Sequence, residues 1–175
     1  SLGRVHAALG DVPRSLEFLD RACRAEEKLG NRRDAARILN EMGLGCHSRG
    51  DHRQALALLE RSLAFMMDAG TPPEQVTLLQ NIGAMHDAMG SYAKALEFME
   101  RGLALAEKTG DRGAVANALG NIGAVHYAVG DYVTALSYLE RSLKIAEEIG
   151  DEKEVLHALG NIGSAHFCLE DYRVA

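Results

Sequence analysis

Between Asp111 and Gly150 the apolar positions fall on two helical stripes. Val115, Leu119, Ile122 and Val125 share one face; Ala135, Leu136, Leu139, Leu143, Ile145 and Ala146 share another, and Glu140, Arg141, Lys144 and Glu147 lie largely outside it. Such spacing is that of amphipathic helices. Gly130-Asp131-Tyr132 separates the two patterns and Gly150-Asp151 closes the second. Glycine accepts the left-handed conformation that ends a helix, and an aspartate carboxylate accepts from the free amides that begin the next. The segment is predicted to be a helix hairpin.

The same pattern runs through the whole chain. LGNIGAVHYAVGDY, from Leu119, returns as LQNIGAMHDAMGSY from Leu79 and LGNIGSAHFCLEDY from Leu159, displaced by one constant interval. Weaker copies begin at Leu39 and Ser1. Gly3, Gly43, Gly83, Gly123 and Gly163 form one glycine series, and Gly30, Gly70, Gly110 and Gly150 form another. The expected organisation is one array over residues 1–175, about four and a half 40-residue units cut at both ends. A hairpin of this size cannot bury both faces by itself, so neighbouring units supply the remaining core. Gly123 and its equivalents, with Ala55, Ala95, Ala135 and Ala175 and with Ser15 in the first unit, are small residues where paired helices approach closely.

NIGAVHYAVGDYVTALSYLERSLKIA resembles the tetratricopeptide repeat (TPR). The resemblance lies in Ile122-Gly123, the aromatic-type position at His126, Gly130-Asp131-Tyr132 at the turn, Ala135-Leu136, and the small Ser142 a further two turns on. The unit is longer than the family's usual length of about 34 residues. In that respect it is similar to the Leu-Gly-Asn spindle-orientation scaffolds and, more distantly, to kinesin light chains. The resemblance implies an all-α, right-handed superhelical solenoid of stacked antiparallel hairpins whose first helices line a concave, peptide-binding face.

On a helical wheel with Gly123 facing the packing side, Asn117, Gly120, Asn121, Ala124, Tyr127 and Ala128 gather on the other side. The equivalent positions add Asn81, His157, Gly160, Asn161, Ser164 and Phe167, and, toward the N-terminus, Arg4, Arg37, Asn40, Glu41 and His47. These are the peptide-groove candidates. An asparagine amide offers a donor and an acceptor, which suits the backbone of an extended peptide; the alternative is a bond to a neighbouring helix. Gly120 and Gly160 each cost a helix ~1 kcal/mol relative to alanine, which either a ligand or an adjacent helix approaching closely would explain. Tyr127 and Phe167, beside small residues, favour an apolar partner side chain. The Lys/Arg/Asn clamp by which some relatives hold a terminal carboxylate is essentially absent, since its positions carry Asn40, Gln80, Gly120 and Gly160, then Arg4, Leu44, Ala84, Ala124 and Ser164.

Composition narrows the function classes. The net charge of −6 is spread over short mixed patches, which disfavours nucleic acid, and no apolar run is long enough to span a membrane. Cys23, Cys46 and Cys168 are odd in number and sit in helical patterns, as small core residues of a cytoplasmic, reducing compartment do. His6, His86, His126 and His166 occur once per unit, too far apart to share a metal, and take the family's aromatic packing position. The methionines, Met66-Met67 and Met99 among them, fall at core spacings. Phosphate loop, CxxC pair and nucleophile arrangement are lacking, so no enzyme, cofactor or metal is expected. The pattern enters partway through a first helix at Ser1 and stops just after a second helix begins at Ala175, as a fragment of a longer repeat protein would. Three functions remain: a protein-interaction module that binds a peptide segment, the sensor or regulatory arm of a larger signalling protein, and a structural spacer that self-associates end to end.

Overall fold

The computed structural model describes residues 12–174, with side chains over 14–170. Arg4, His6 and Ala175 therefore lie outside what can be described. The described residues form helices α1 (Val12–Leu29), α2 (Arg32–His47), α3 (His52–Ala69), α4 (Pro72–Ala88), α5 (Tyr92–Thr109), α6 (Arg112–Val129), α7 (Tyr132–Ile149) and α8 (Glu152–Val174). They group into two compact units divided between Met89 and Gly90. In the first, α1 packs on α2, α2 on α3 and α3 on α4; in the second, α5 packs on α6, α6 on α7 and α7 on α8, and α6 also meets α8. Within each unit, short connections fold each helix back on the one before it.

The turn between α6 and α7 shows the local cause. Gly130 takes φ 88°, and the amide of Asp131 donates to the carbonyl of His126 at 3.0 Å, a Schellman-type close. The Asp131 carboxylate then accepts from the Thr134 amide at 3.2 Å and caps α7. Hydrogen bonds from Thr134 hold that carboxyl below its ordinary range. Asp51, Asp111 and Asp151 cap their helices in the same way.

Gly70 departs from the expected series. Its φ of −86° and ψ of 158° are extended, not left-handed. Pro72 restricts Thr71 to the extended region, and Thr71 forms a reciprocal capping box with Glu74, so this turn is made by capping and proline.

Second helices bury one repeated stripe: Ala55, Leu59, Ser62 and Met66 in α3, and Ala135, Leu139, Ser142 and Ala146 in α7. The serines are tied to their partner helices. Ser62 Oγ donates to the Ala36 carbonyl at 2.6 Å, and Ser142 Oγ to the Ala116 carbonyl at 2.7 Å. A Cβ on Gly43 would stand 2.9 Å from Leu59 Cγ and 3.2 Å from the Ala55 carbonyl oxygen. On Gly123 it would stand 2.7 Å from Leu139 Cγ and 3.2 Å from the Ala135 carbonyl oxygen. Both glycines thus allow close helix approach. Gly163, the next of the series, meets no described atom within 4 Å and is not such a contact here. Cys23, Ala35 and Leu39 centre a core cluster in the first unit; Ala95, Met99, Ile122 and Val125 centre one in the second.

Four further expectations change. Of the adjacent methionines, Met66 is buried and Met67 is 53% exposed, because neighbouring helix positions diverge by about 100°. His86 is buried and His126 is half-buried, its ring stacked 5.5 Å from that of Tyr138, but His166 on α8 is exposed. Cys168 is only partly buried, unlike Cys23 and Cys46. Finally, α8 continues to Val174 without breaking near Asp171-Tyr172. The position that holds Gly50, Gly90 and Gly130 in earlier hairpins holds Glu170, whose Cβ disfavours the left-handed stop.

Candidate functional site

In the first unit, helices α2 and α4 lie side by side. Arg33 Nε donates to both carboxylate oxygens of Glu74, at 3.2 and 2.9 Å. Glu74 also accepts from the Thr71 amide; that bond first, and Arg33 next, lower its pKa to about 2. Further along the same pair of helices, Asn81 Nδ2 donates to Asn40 Oδ1 at 3.0 Å. The asparagine pair therefore bridges neighbouring helices. Arg37, Asn40 and Glu41 open onto a groove of 550 Å³ shared with Asp34, Glu74 and Thr77, above apolar Ile38, Leu44 and Leu78. His47 points elsewhere: its Nδ1 is 3.1 Å from Nδ1 of His52, across the α2–α3 turn.

In the second unit, α6 and α8 frame a concavity of 470 Å³ lined by Tyr127, Leu159, Gly160, Gly163, Ser164, Phe167 and Cys168. The Tyr127 hydroxyl lies 3.4 Å from Cys168 Sγ, and this contact raises the phenol's pKa. Phe167 is 68% exposed. Asn121 Nδ2 donates to Asn117 Oδ1 at 3.2 Å, and Asn161 lies 3.4 Å from His157 Nε2, each pair one turn apart on its own helix. Ala124 is half-buried. The polar candidates of this unit lie on α6 and α8 with the aromatic ones, but Asn117, Asn121, His157 and Asn161 do not line the concavity.

Gly120 does not join them. It is buried, and a Cβ there would stand 2.6 Å from Glu154 Oε1 and 3.4 Å from Ser142 Oγ. Its place is beneath a buried carboxylate of α8, which Ser142 Oγ contacts at 3.1 Å. Gly160, by contrast, has no atom within 4 Å of such a Cβ. The only available signal for the Gly120–Glu154 contact was a glycine in one first helix and an acid in the next. Glu170 and the His47–His52 pair were also missed, although both are visible as departures from the repeat.

Among the described residues no group of three or more His, Cys, Asp or Glu side chains could hold a metal ion. No described helix is long and apolar enough to cross a membrane.

The fold is therefore all-α, a solenoid-class assembly of antiparallel helix hairpins repeating at the interval that separates Leu79, Leu119 and Leu159. One tetratricopeptide repeat model matches residues 1–68 and 114–175, and a second matches 76–109. The chain belongs to the tetratricopeptide repeat family. No curated protein matches it in sequence. Among solved structures it is similar to TPR-like repeats from Podosopora anserina described as putative kinesin light chain, with 19% identity, TM-score 0.72, and coverage of 99% of this chain and 90% of that one. It is also similar to a signal transduction ATPase (STAND) protein with a tetratricopeptide repeat sensor from Pyrococcus horikoshii, with 17% identity, TM-score 0.86, and coverage of 95% and 26%. A Rap protein complexed with competence and sporulation factor matches with 17% identity, TM-score 0.78, and coverage of 99% and 48%. At these identities the likeness is one of fold.

Proposed function

We propose that this chain is a non-catalytic protein-interaction module that binds a peptide segment of a partner along its first helices. The observation that carries the reading is Phe167, two-thirds exposed at a concavity whose other walls include Tyr127, Gly160 and Ser164. Large exposed aromatics beside small residues are the composition of binding hot spots, and enclosing a ring of this size contributes about 1.5–3 kcal/mol. Asn121 and Asn161, on the same two helices as Tyr127 and Phe167, would exchange their intrahelical contacts with Asn117 and His157 for bonds to the partner's backbone. The net charge of −6 weighs against nucleic acid as the partner. The test is capture of partners by this segment and by its Asn121→Ala/Asn161→Ala variant. A protein retained by the first and lost by the second, at equal helix content, supports the groove; identical captures would overturn it.

A second reading makes the chain the sensing arm of a larger signalling protein. It is favoured by the fold match to a STAND protein with a TPR sensor, of which this chain spans about a quarter. An effector domain in the same open reading frame would decide for it.

A further inference from the structure

The α2–α3 turn carries a feature that peptide binding does not use. In the second unit the equivalent turn is braced by two aromatic rings, Tyr127 and Tyr132, with centroids 5.4 Å apart and planes inclined at 57°. The matching positions of the first unit carry His47 and His52, with centroids 5.1 Å apart and planes at 45°. The rings pack alike, but here two nitrogen lone-pair positions replace apolar edge: Nδ1 of one ring is 3.1 Å from Nδ1 of the other. Packing alone needs no such change, since tyrosines close the equivalent turn.

We propose that His47 and His52 form a two-histidine chelate for a borderline divalent cation of the Ni²⁺, Cu²⁺ or Zn²⁺ class, clipping the α2–α3 hairpin. A metal ion at ~2.0–2.1 Å from both nitrogens would subtend roughly 95–102° at the observed separation, between the octahedral cis angle and the tetrahedral one. Imidazole is the ligand type these ions favour. Among the described residues no third histidine, cysteine or carboxylate completes a cluster, so water fills the remaining positions. Without metal, one neutral ring carries its proton on Nδ1 and donates it to the other. On binding, that proton moves to Nε2 through solvent, both Nδ1 lone pairs face the ion, and no net proton is released. Both residues are half-buried, within reach of water.

The repeat itself supplies the control. His52→Tyr installs the ring found at Tyr92 and Tyr132, and His47→Tyr the ring found at Tyr127, so each keeps the packing and removes one ligand. Isothermal titration with Ni²⁺, backed by the thermal midpoint with and without the ion, reads binding and stabilisation. The expected result is one equivalent bound by the native chain, at least tenfold weaker binding by either variant, and unchanged binding by His166→Gln, which alters an exposed histidine of α8. Equal affinity in native chain and tyrosine variants would overturn the proposal, as would a native chain whose midpoint Ni²⁺ does not raise. Should one tyrosine variant fail to fold by circular dichroism, the other decides.

Discussion

Gly123→Ala and Gly160→Ala make the same chemical change in helix interiors of one unit, yet they should shift stability in opposite directions. In an exposed helix interior, alanine is favoured over glycine by about 1 kcal/mol. At Gly160 nothing lies within 4 Å of the added methyl, so that gain should appear in full. At Gly123 the methyl would stand 2.7 Å from Leu139 Cγ and 3.2 Å from the Ala135 carbonyl oxygen. Leu139 is fully buried and cannot swing away, and the carbonyl moves only if α7 moves. Overpacking of this kind costs about 1–3 kcal/mol, which at least cancels the propensity gain and leaves a net loss of up to about 2 kcal/mol. For a chain of this size 1 kcal/mol corresponds to about 2–4 °C in thermal midpoint. Circular dichroism melts should therefore place Gly160→Ala a few degrees above the native chain and Gly123→Ala a few degrees below, with Gly43→Ala following Gly123→Ala because Leu59 and the Ala55 carbonyl stand in the same relation to it. Gly120→Ala should fall between, since its obstacle is the end of the Glu154 side chain, which can turn aside at the cost of its Ser142 contact. A Gly123→Ala protein that melts as high as Gly160→Ala would refute the close-approach argument.

Ser142→Ala should destabilise the second unit by about 1–3 kcal/mol, read from urea midpoints, because it leaves the buried Ala116 carbonyl and Glu154 carboxylate without the hydroxyl between them. Glu74→Gln should lower stability at pH 7 while keeping the capping box. Glu74's folded pKa, about 2, lies below the ordinary value of 4.5, so its contribution is present above pH 4.5 and is lost as the pH falls toward 2. The difference between variant and native melting temperatures should shrink over that window. Phe167→Ala should leave the melt nearly unchanged, since the ring is mostly exposed, and weaken any groove partner at least tenfold by surface plasmon resonance.

Wherever local chemistry alone decides the outcome, the pattern of residues was sufficient. The helical period of Leu119, Ile122 and Val125, the Gly130-Asp131 stop and start, and the recurrence of the whole pattern determine a helix-hairpin repeat, because a glycine cap or an apolar stripe acts through its own few neighbours. The fold class and the packing role of Gly123 were legible on that ground. The candidate groove was legible only as a wheel position. A wheel shows which way a residue faces along its own helix, not what stands opposite. That is why Gly120 and Gly160, identical in the pattern, part company: α8 brings Glu154 over the first, and no described element covers the second. The same holds for the asparagines, of which Asn81 reaches the neighbouring helix at Asn40 while Asn121 turns back to Asn117. It holds too for His47, whose partner His52 becomes a neighbour only once the turn has closed. Contacts between helices depend on axis separation and side-chain reach, which a sequence period does not carry. The sequence by itself therefore determined the repeating unit, and the tertiary structure alone decided which of its faces are occupied.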